Sequence, residues 1–397
     1  MMSVWSSLVG QDAAVAKLSE AAASARAVVA SRGSGRTSDE ARSMSHAWLI
    51  TGPPGSGRSV AARAFAAALQ CTGATPGCGQ CPGCRTTMGR TNADVLFAAT
   101  ETSIINVETA RSLVLQAQSS PSQGLWRVIV VEDADRLGES GANALLKAIE
   151  EPPEHTVWLL CAPSPEDMIA TIRSRCRHLG LRIPTATAVA DLLVREGVAT
   201  PEVALEAARA AQSHIGLARA LARDPQMRER RRNIITAPAS VRSVGEAVMA
   251  ADRLLETAKA QADAQVSERN AREKAELMRQ LGMDEGESAT KASRTMIRQL
   301  EEDQKRRSKR ALTDAIDRAL IDLLAIYRDI LMVQVGGDGE LINTDLSELV
   351  HQIAHDSTSH QTLARVDHIE TARKRLVANG NPLLVLEDMA ISLRPQA

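Results

Sequence analysis

The sequence predicts a parallel α/β domain at the front of the chain and helices alone behind it. Three observations carry that expectation. Short apolar runs alternate with helical patterns up to about residue 180. A glycine-rich loop joins the first of those runs to an alanine-rich helix. From Pro184 to the end the signals are helical only.

The candidate strands are Ala47–Thr51, Val95–Ala98, Val128–Glu132 and Val157–Cys161. Each is short and continuously apolar, as expected where helices cover both faces of a sheet. The Gly/Ser/Arg-rich stretch Arg32–Ser45 reads as a surface loop. Domain limits follow the breaks: 1–183 for the α/β domain, 184–238 for a small helical domain, and 239–397 for a larger one. Within the last, residues 258–310 are dense in charge, poor in large apolar side chains and interrupted at Gly282–Gly286. Charge runs are usually solvated faces, so a solvated helical hairpin is the first reading and an arm docking DNA or protein the second. Leu312, Ile316, Leu320, Leu323, Leu324, Ile330 and Leu331 then follow helical spacing and should face a core. No repeat of fixed period is present.

Composition narrows the function. A chain of 397 residues is long enough for two or three domains, and 44% hydrophobic with 24% charged residues is an ordinary globular balance. The net charge of −1 does not advertise a nucleic-acid or membrane partner. Aromatics at 2% leave Ala, Leu, Val and Ile to build the cores, which argues against a β-sandwich or a base-stacking platform. No run of 18 apolar residues exists to span a membrane, and Met1–Gly10 lacks a secretory pattern, so the expected compartment is the cytoplasm. Of the 47 basic residues 39 are Arg, so an Arg where Lys is usual partly reflects composition.

The loop after the first strand reads Gly52-Pro-Pro-Gly55-Ser-Gly57-Arg58-Ser59. Its glycines let backbone N–H groups turn inward around phosphates, and the following helix adds positive potential at its N-terminus. The Ser59 hydroxyl is placed for magnesium, whereas Arg58 stands where this phosphate loop usually carries Lys. A guanidinium keeps the charge but is wider and planar, so nucleotide (ATP or ADP) retention stays open and efficient hydrolysis is not expected. The strand Val128–Val131 ends in Glu132-Asp133, where such ATPases hold metal and orient water. The usual order is Asp then Glu. Reversing it displaces both carboxylates, and a shift of about 1 Å already costs on the order of a hundredfold in rate.

Cys71, Cys78, Cys81 and Cys84 fall within fourteen residues, among Gly73, Gly77, Gly79 and Gly83. Four thiolates fill a tetrahedral zinc shell and leave no open position, so a structural zinc knuckle is expected. An iron–sulfur cluster uses four cysteines too, but nothing else here points to redox work. Cys161, in an apolar strand, reads as a buried hydrophobe.

These features occur in one order with Val9-Gly10-Gln11, Asn143-Ala-Leu-Leu-Lys-Ala-Ile-Glu150-Glu151-Pro-Pro-Glu-His155 and Thr171-Ile-Arg-Ser174-Arg175-Cys176. In that order, over residues 5 to about 235, the sequence resembles the bacterial clamp-loader subunits of DNA polymerase III, members of the AAA+ ATPase superfamily. Asn379-Gly-Asn-Pro-Leu-Leu-Val-Leu-Glu-Asp-Met389 is similar to the last helix of the family's collar. The resemblance implies a small helical lid at 184–238 and an all-α collar from 239, with the charged insertion at about 258–310 having no counterpart. It also implies a hetero-oligomer with gamma/tau and delta subunits, acting on a sliding clamp and primed DNA within the polymerase holoenzyme.

In the family's hydrolysing gamma/tau type the loop carries Lys, the acids read Asp-Glu, and a Thr or Asn near Ala162-Pro163 senses the terminal phosphate. All three are absent here, which resembles the stationary delta-prime type. The alternative is an active gamma/tau-like ATPase that tolerates Arg58. By the same resemblance Arg175 is an arginine finger for a neighbour's ATP, its plainer reading being a surface arginine beside Arg173 and Arg177. Arg219, in Gly216-Leu-Ala-Arg219, matches the second sensor arginine, or is an ordinary helix-surface residue.

Overall fold

The computed structural model describes residues 3–31, 44–98, 105–281 and 291–395. The predicted loop at 32–45 lies largely outside the described residues, and the interruption at 282–286 lies wholly outside them. The chain divides into two compact units, Met1–Arg219 and Ala220–Ala397.

The first unit runs α1 (Asp12–Ser31), β1 (Ala47–Thr51), α2 (Arg58–Leu69), α3 (Pro82–Met88), β2 (Val95–Ala98), α4 (Val107–Ala117), β3 (Arg127–Val131), α5 (Glu139–Glu150), β4 (Thr156–Ala162), α6 (Ala170–Arg173), β5 (Arg177–Gly180), α7 (Ala186–Arg195) and α8 (Pro201–Ala210). Helix α9 (Ile215–Arg223) straddles the division. The five strands are parallel in the order β2-β3-β4-β1-β5. The four strands expected from sequence are present, β3 and β4 shifted by a residue at their ends. Strand β5 was not foreseen: only Leu179 of Arg177–Gly180 is buried, so this edge strand has no apolar run to announce it.

Alternation of side chains across the pleat sorts the strands into two cores. Trp48, Ile50, Val128, Val130, Leu159 and Cys161 face α1 and α2. Leu49, Ile129, Val131, Trp158 and Leu160 face α4, α5 and α6. Helix α2 packs through Ala61, Ala62, Ala64, Ala66, Ala67 and Ala68, all buried, and these small side chains let it lie close on the sheet. The few aromatics fill the remaining depth: Trp48 meets Phe65 edge-on at 5.2 Å, a contact worth about 0.5–1.5 kcal/mol beyond area. Parallel pairing brings the carboxyl ends of β1, β3 and β4 to one edge, the usual ligand edge of open α/β sheets.

The second unit is helical: α10 (Pro225–Ser240), α11 (Val244–Gln280), α12 (Lys291–Gln334), α13 (Ser347–Asp356), α14 (Ser359–Val377) and α15 (Pro382–Ser392). Pro238 sits inside the last turn of α10 rather than ending it. Ile316, Leu320, Leu323 and Ile330 enter the core as expected, with Leu312 and Leu324 against it; Leu331 is half-buried. The charged stretch forms an antiparallel pair of α11 and α12, tied by Arg307 to Glu273 at 2.8 Å and by Gln304 Nε2 donating to the Asn270 carbonyl at 2.9 Å. It carries a small apolar cluster of its own, Ala262, Val266 and Ala311.

Candidate nucleotide site and metal centre

The loop after β1 is built to receive phosphate. Gly55 and Gly57 hold φ of +89° and +90°, the left-handed region open to glycine. A Cβ on Gly55 would lie 3.1 Å from the His214 Cα, so the backbone before α9 packs directly against the loop. Helix α2 starts at Arg58 with no side-chain cap, leaving its first N–H groups for an anion. Ser59 follows in that first turn. The buried Ser56 Oγ has no hydrogen-bond partner, an orphaned polar atom within the loop. Gln11 steadies the loop from outside: its Nε2 donates to the Ser56 carbonyl at 3.3 Å and to the Arg182 carbonyl at 2.5 Å. The Val9-Gly10-Gln11 string thus clips the phosphate loop to the exit of β5.

The cationic and acidic side chains are arranged differently from what hydrolysis needs. The Arg58 guanidinium folds back to donate to the Gly52 carbonyl. Glu132, at the end of β3 and only 13% exposed, is ion-paired with Arg90 at 2.5 Å. Asp133 opens a short helical turn at Ala134–Arg136. Burial and the neighbouring Asp133 charge hold the Asp135 carboxyl above its ordinary range, with Arg58 pulling the other way. Where a sensing hydroxyl is expected, the Pro163 carbonyl accepts from Gly52 N at 3.1 Å, and the next residue, Ser164, gives its hydroxyl to Glu166. The loop fits a polyphosphate. One oxygen of the acid expected to hold magnesium, Glu132 Oε1, is already paired with a guanidinium.

Arg175 follows α6, 37% exposed, and pairs with Glu150 at the end of α5. Its Nη1 also donates to the Thr171 carbonyl at 2.8 Å. Burial pushes the adjacent Cys176 thiol up to about 12, so it stays protonated. Arg219 is held in two 2.9 Å hydrogen bonds by Glu196 of the first unit. His214, which sequence reasoning passed over, lies against the loop, and its Nδ1 accepts from Leu217 N to cap α9. Arg90 and Glu150 were also passed over. No motif names them, because their partners are distant in sequence.

The cysteines converge: the Sγ atoms of Cys71, Cys78, Cys81 and Cys84 all lie within 4.8 Å of one another. Zinc–sulfur bonds of about 2.3 Å in a tetrahedron set sulfur–sulfur edges of about 3.8 Å, and Cys71 and Cys81 stand 3.8 Å apart. Backbone N–H groups of Gln80 and Cys81 donate to Cys78 Sγ, and that of Cys84 to Cys81 Sγ, the polarity a thiolate wants. Burial pushes the Cys81 thiol up, but the donors of Cys84 and Thr72 outweigh it and bring the group down to about 6, whereas burial pushes the neighbouring Cys84 thiol up. A Cβ on Gly73 would sit 2.8 Å from Cys78 Sγ, so the turn has room only for glycine. Arg26 of α1 donates to the carbonyls of Cys71, Gly73 and Ala74, tying the knuckle to the domain. The donor set and spacing fit structural zinc.

A parallel sheet with a glycine phosphate loop after β1, acids after β3 and β4 between them defines a P-loop domain of the ATPase type. Residues 36–185 match the family described as DNA polymerase III, delta subunit. The gamma/tau subunit of Mycobacterium tuberculosis is 35% identical over 162 residues, 39% of this chain and 28% of that protein. The delta' subunit of Pseudomonas aeruginosa is 34% identical over 165 residues, 41% and 50% respectively. The tau subunit of Escherichia coli is 38% identical over 142 residues, 34% and 22% respectively. The matches thus span at most half the length of these relatives. Among solved structures, a gamma subunit-related protein of Thermotoga maritima superposes over 88% of this chain and 94% of its own, at 17% identity and a TM-score of 0.43. The α/β domain of this chain is thus similar to DNA polymerase III subunits of both the delta' and the gamma/tau kind.

Proposed function

We propose that this chain is a delta-prime-like subunit of a bacterial sliding-clamp loader: a largely ATPase-inactive stator that supports assembly and lends Arg175 to the ATP of a neighbouring subunit. Its partners are gamma/tau and delta subunits, and through them the sliding clamp and primed DNA, in the cytoplasm. In this reading the chain is organised as an AAA+ domain (1–183), a lid (184–238) and a collar (239–397), with zinc in the knuckle.

The observation that carries the reading is the state of the chain's own catalytic residues. Arg58 is folded onto Gly52, Glu132 is taken by Arg90, and the sensing position is a proline carbonyl. Arg175, between α6 and β5, is partly exposed and held by Glu150 and the Thr171 carbonyl, contacts it would exchange for a neighbour's phosphate. A guanidinium offered there neutralises charge developing on a transferred phosphoryl group. The second reading, an active gamma/tau-like ATPase, draws on the phosphate-ready loop backbone and on the gamma/tau relatives.

The test is clamp loading by a reconstituted complex carrying Arg175→Ala. Assembly should be nearly intact, because one exposed arginine contributes little binding energy. A finger is worth about 10³–10⁵ at its own site, so loading should slow sharply even where other sites keep total hydrolysis up. Arg175→Lys should rescue only in part, lacking the planar fork. Unchanged loading would reduce the chain to a passive scaffold.

A further inference from the structure

We propose that Arg90 is a built-in counter-cation that takes the place of magnesium at Glu132, so that any polyphosphate held by this loop is held without a divalent metal. The inference rests on the reading of Glu132 as the descendant of a metal-holding acid, and it deepens that reading by naming what silences the acid.

The geometry is specific. Glu132 directly follows β3, its side chain is half-buried, and its Oε1 accepts from Arg90 Nη2 at 2.5 Å. Arg90 arrives from the far side of the cysteine knuckle, two residues after α3, in a left-handed backbone conformation with φ of +59°. That posture is fixed by Arg90 N donating to the Thr87 carbonyl at 3.1 Å and Thr91 N to the Thr86 carbonyl at 2.8 Å. The guanidinium also lies over the Phe97 ring, 5.0 Å from its centroid, which restricts it from a second side. A non-glycine residue in the left-handed region costs free energy and persists where surrounding contacts hold it.

A second arginine reinforces the first. Arg63, in the helix that follows the phosphate loop, is half-buried, and its Nε has no hydrogen-bond partner. Burial and the Arg90 charge pull its pKa down while Glu132 pulls it up, which places all three charges in one cluster. Asp133 and Arg58 belong to the same neighbourhood, so what sets Glu132 apart is its direct pairing with Arg90 rather than the net charge around it. A divalent cation arriving at Glu132 has to displace the Arg90 guanidinium from Oε1, where a metal-binding acid offers a free oxygen. The knuckle thereby gains a role beyond stability, since its zinc fold sets the position from which Arg90 reaches the acid.

The test compares ATP binding by the zinc-loaded full chain in metal-free buffer and with added Mg2+, by calorimetry. Metal-free buffer is used rather than a chelator, which would strip the knuckle. The unaltered chain should bind ATP with an affinity that Mg2+ changes by less than about twofold, or not bind it in either buffer, whereas Arg90→Ala should gain about tenfold or more when Mg2+ is present. Mn2+ resonance spectra with ATP should likewise show protein-bound metal in the variant and none in the unaltered chain. Arg90→Asn, uncharged and suited to the left-handed backbone, repeats the test should the alanine variant lose its zinc or fold. A tenfold strengthening by Mg2+ in the unaltered chain, or no Mg2+-dependent gain in a folded variant, overturns the proposal. Neither result bears on Arg175, whose role is read in the reconstituted complex.

Discussion

Asp94 shows how much one side chain can organise. Fully buried, it accepts from the backbone N–H groups of Ser122, Gln123 and Gly124 and from the Ser122 hydroxyl, at 2.6–3.0 Å. Arg127 stands 3.6 Å away. Burial pushes this carboxyl up, but the donors outweigh it and hold the group below the usual carboxylate range. A folded pKa below the unfolded one gives stability that is complete above the unfolded value and is lost as pH falls through the folded value. The contribution is thus intact at neutral pH and disappears only in acid, below about pH 4. Asp94→Asn removes the charge and points an amide donor at N–H groups, so it should cost about 1–3 kcal/mol at pH 7. Urea titrations at neutral pH and at pH 3 check this: the difference between variant and parent should narrow in acid, and an equal difference at both pH values would mean the charge contributes nothing.

At the scale of elements, the knuckle is a loop with little core of its own, its four sulfurs gathered within 4.8 Å of one another and its backbone clamped by Arg26. It also docks on the first residues of the chain, Val4 N and Ser3 Oγ both donating to the Gly77 carbonyl at 3.0 Å. One zinc per chain is expected in protein purified without chelators, and elemental analysis finding none would remove the metal from this account. Cys81→Ser should loosen the knuckle and lower the unfolding midpoint while leaving the sheet formed, since Cys81 lies outside β1–β5. Circular dichroism and metal content measured together separate those effects. The charged hairpin behaves as a distinct element as well. Its pairs such as Arg272 with Glu268 and Arg298 with Glu302 are exposed and worth a few tenths of a kcal/mol each. That is the physics of a solvated surface rather than of a core.

For the whole molecule, the expected result is that the isolated chain turns over ATP at or near background. Single-turnover hydrolysis with purified protein measures it, and a rate of about 1 s⁻¹ or more, within the usual enzyme range, would favour the active gamma/tau-like reading. Much of this was legible in the sequence, and the reasons are local. The phosphate loop, the apolar strands β1 to β4 and the cysteine spacing are contiguous strings whose physics depends on near neighbours: turn geometry, pleat alternation, and ligands spaced for one ion. The fates of the site's charges were not legible, because each depends on a residue far along the chain. Glu132 meets Arg90 forty-two positions away and Arg175 meets Glu150 twenty-five away. Arg219 finds Glu196 and Gly55 finds His214 only once the helices after β5 are folded. Sequence thus determined that this is a P-loop domain with a four-cysteine knuckle. Tertiary structure alone decided which of its charges remain available, because a carboxylate's partner is set by distance in space.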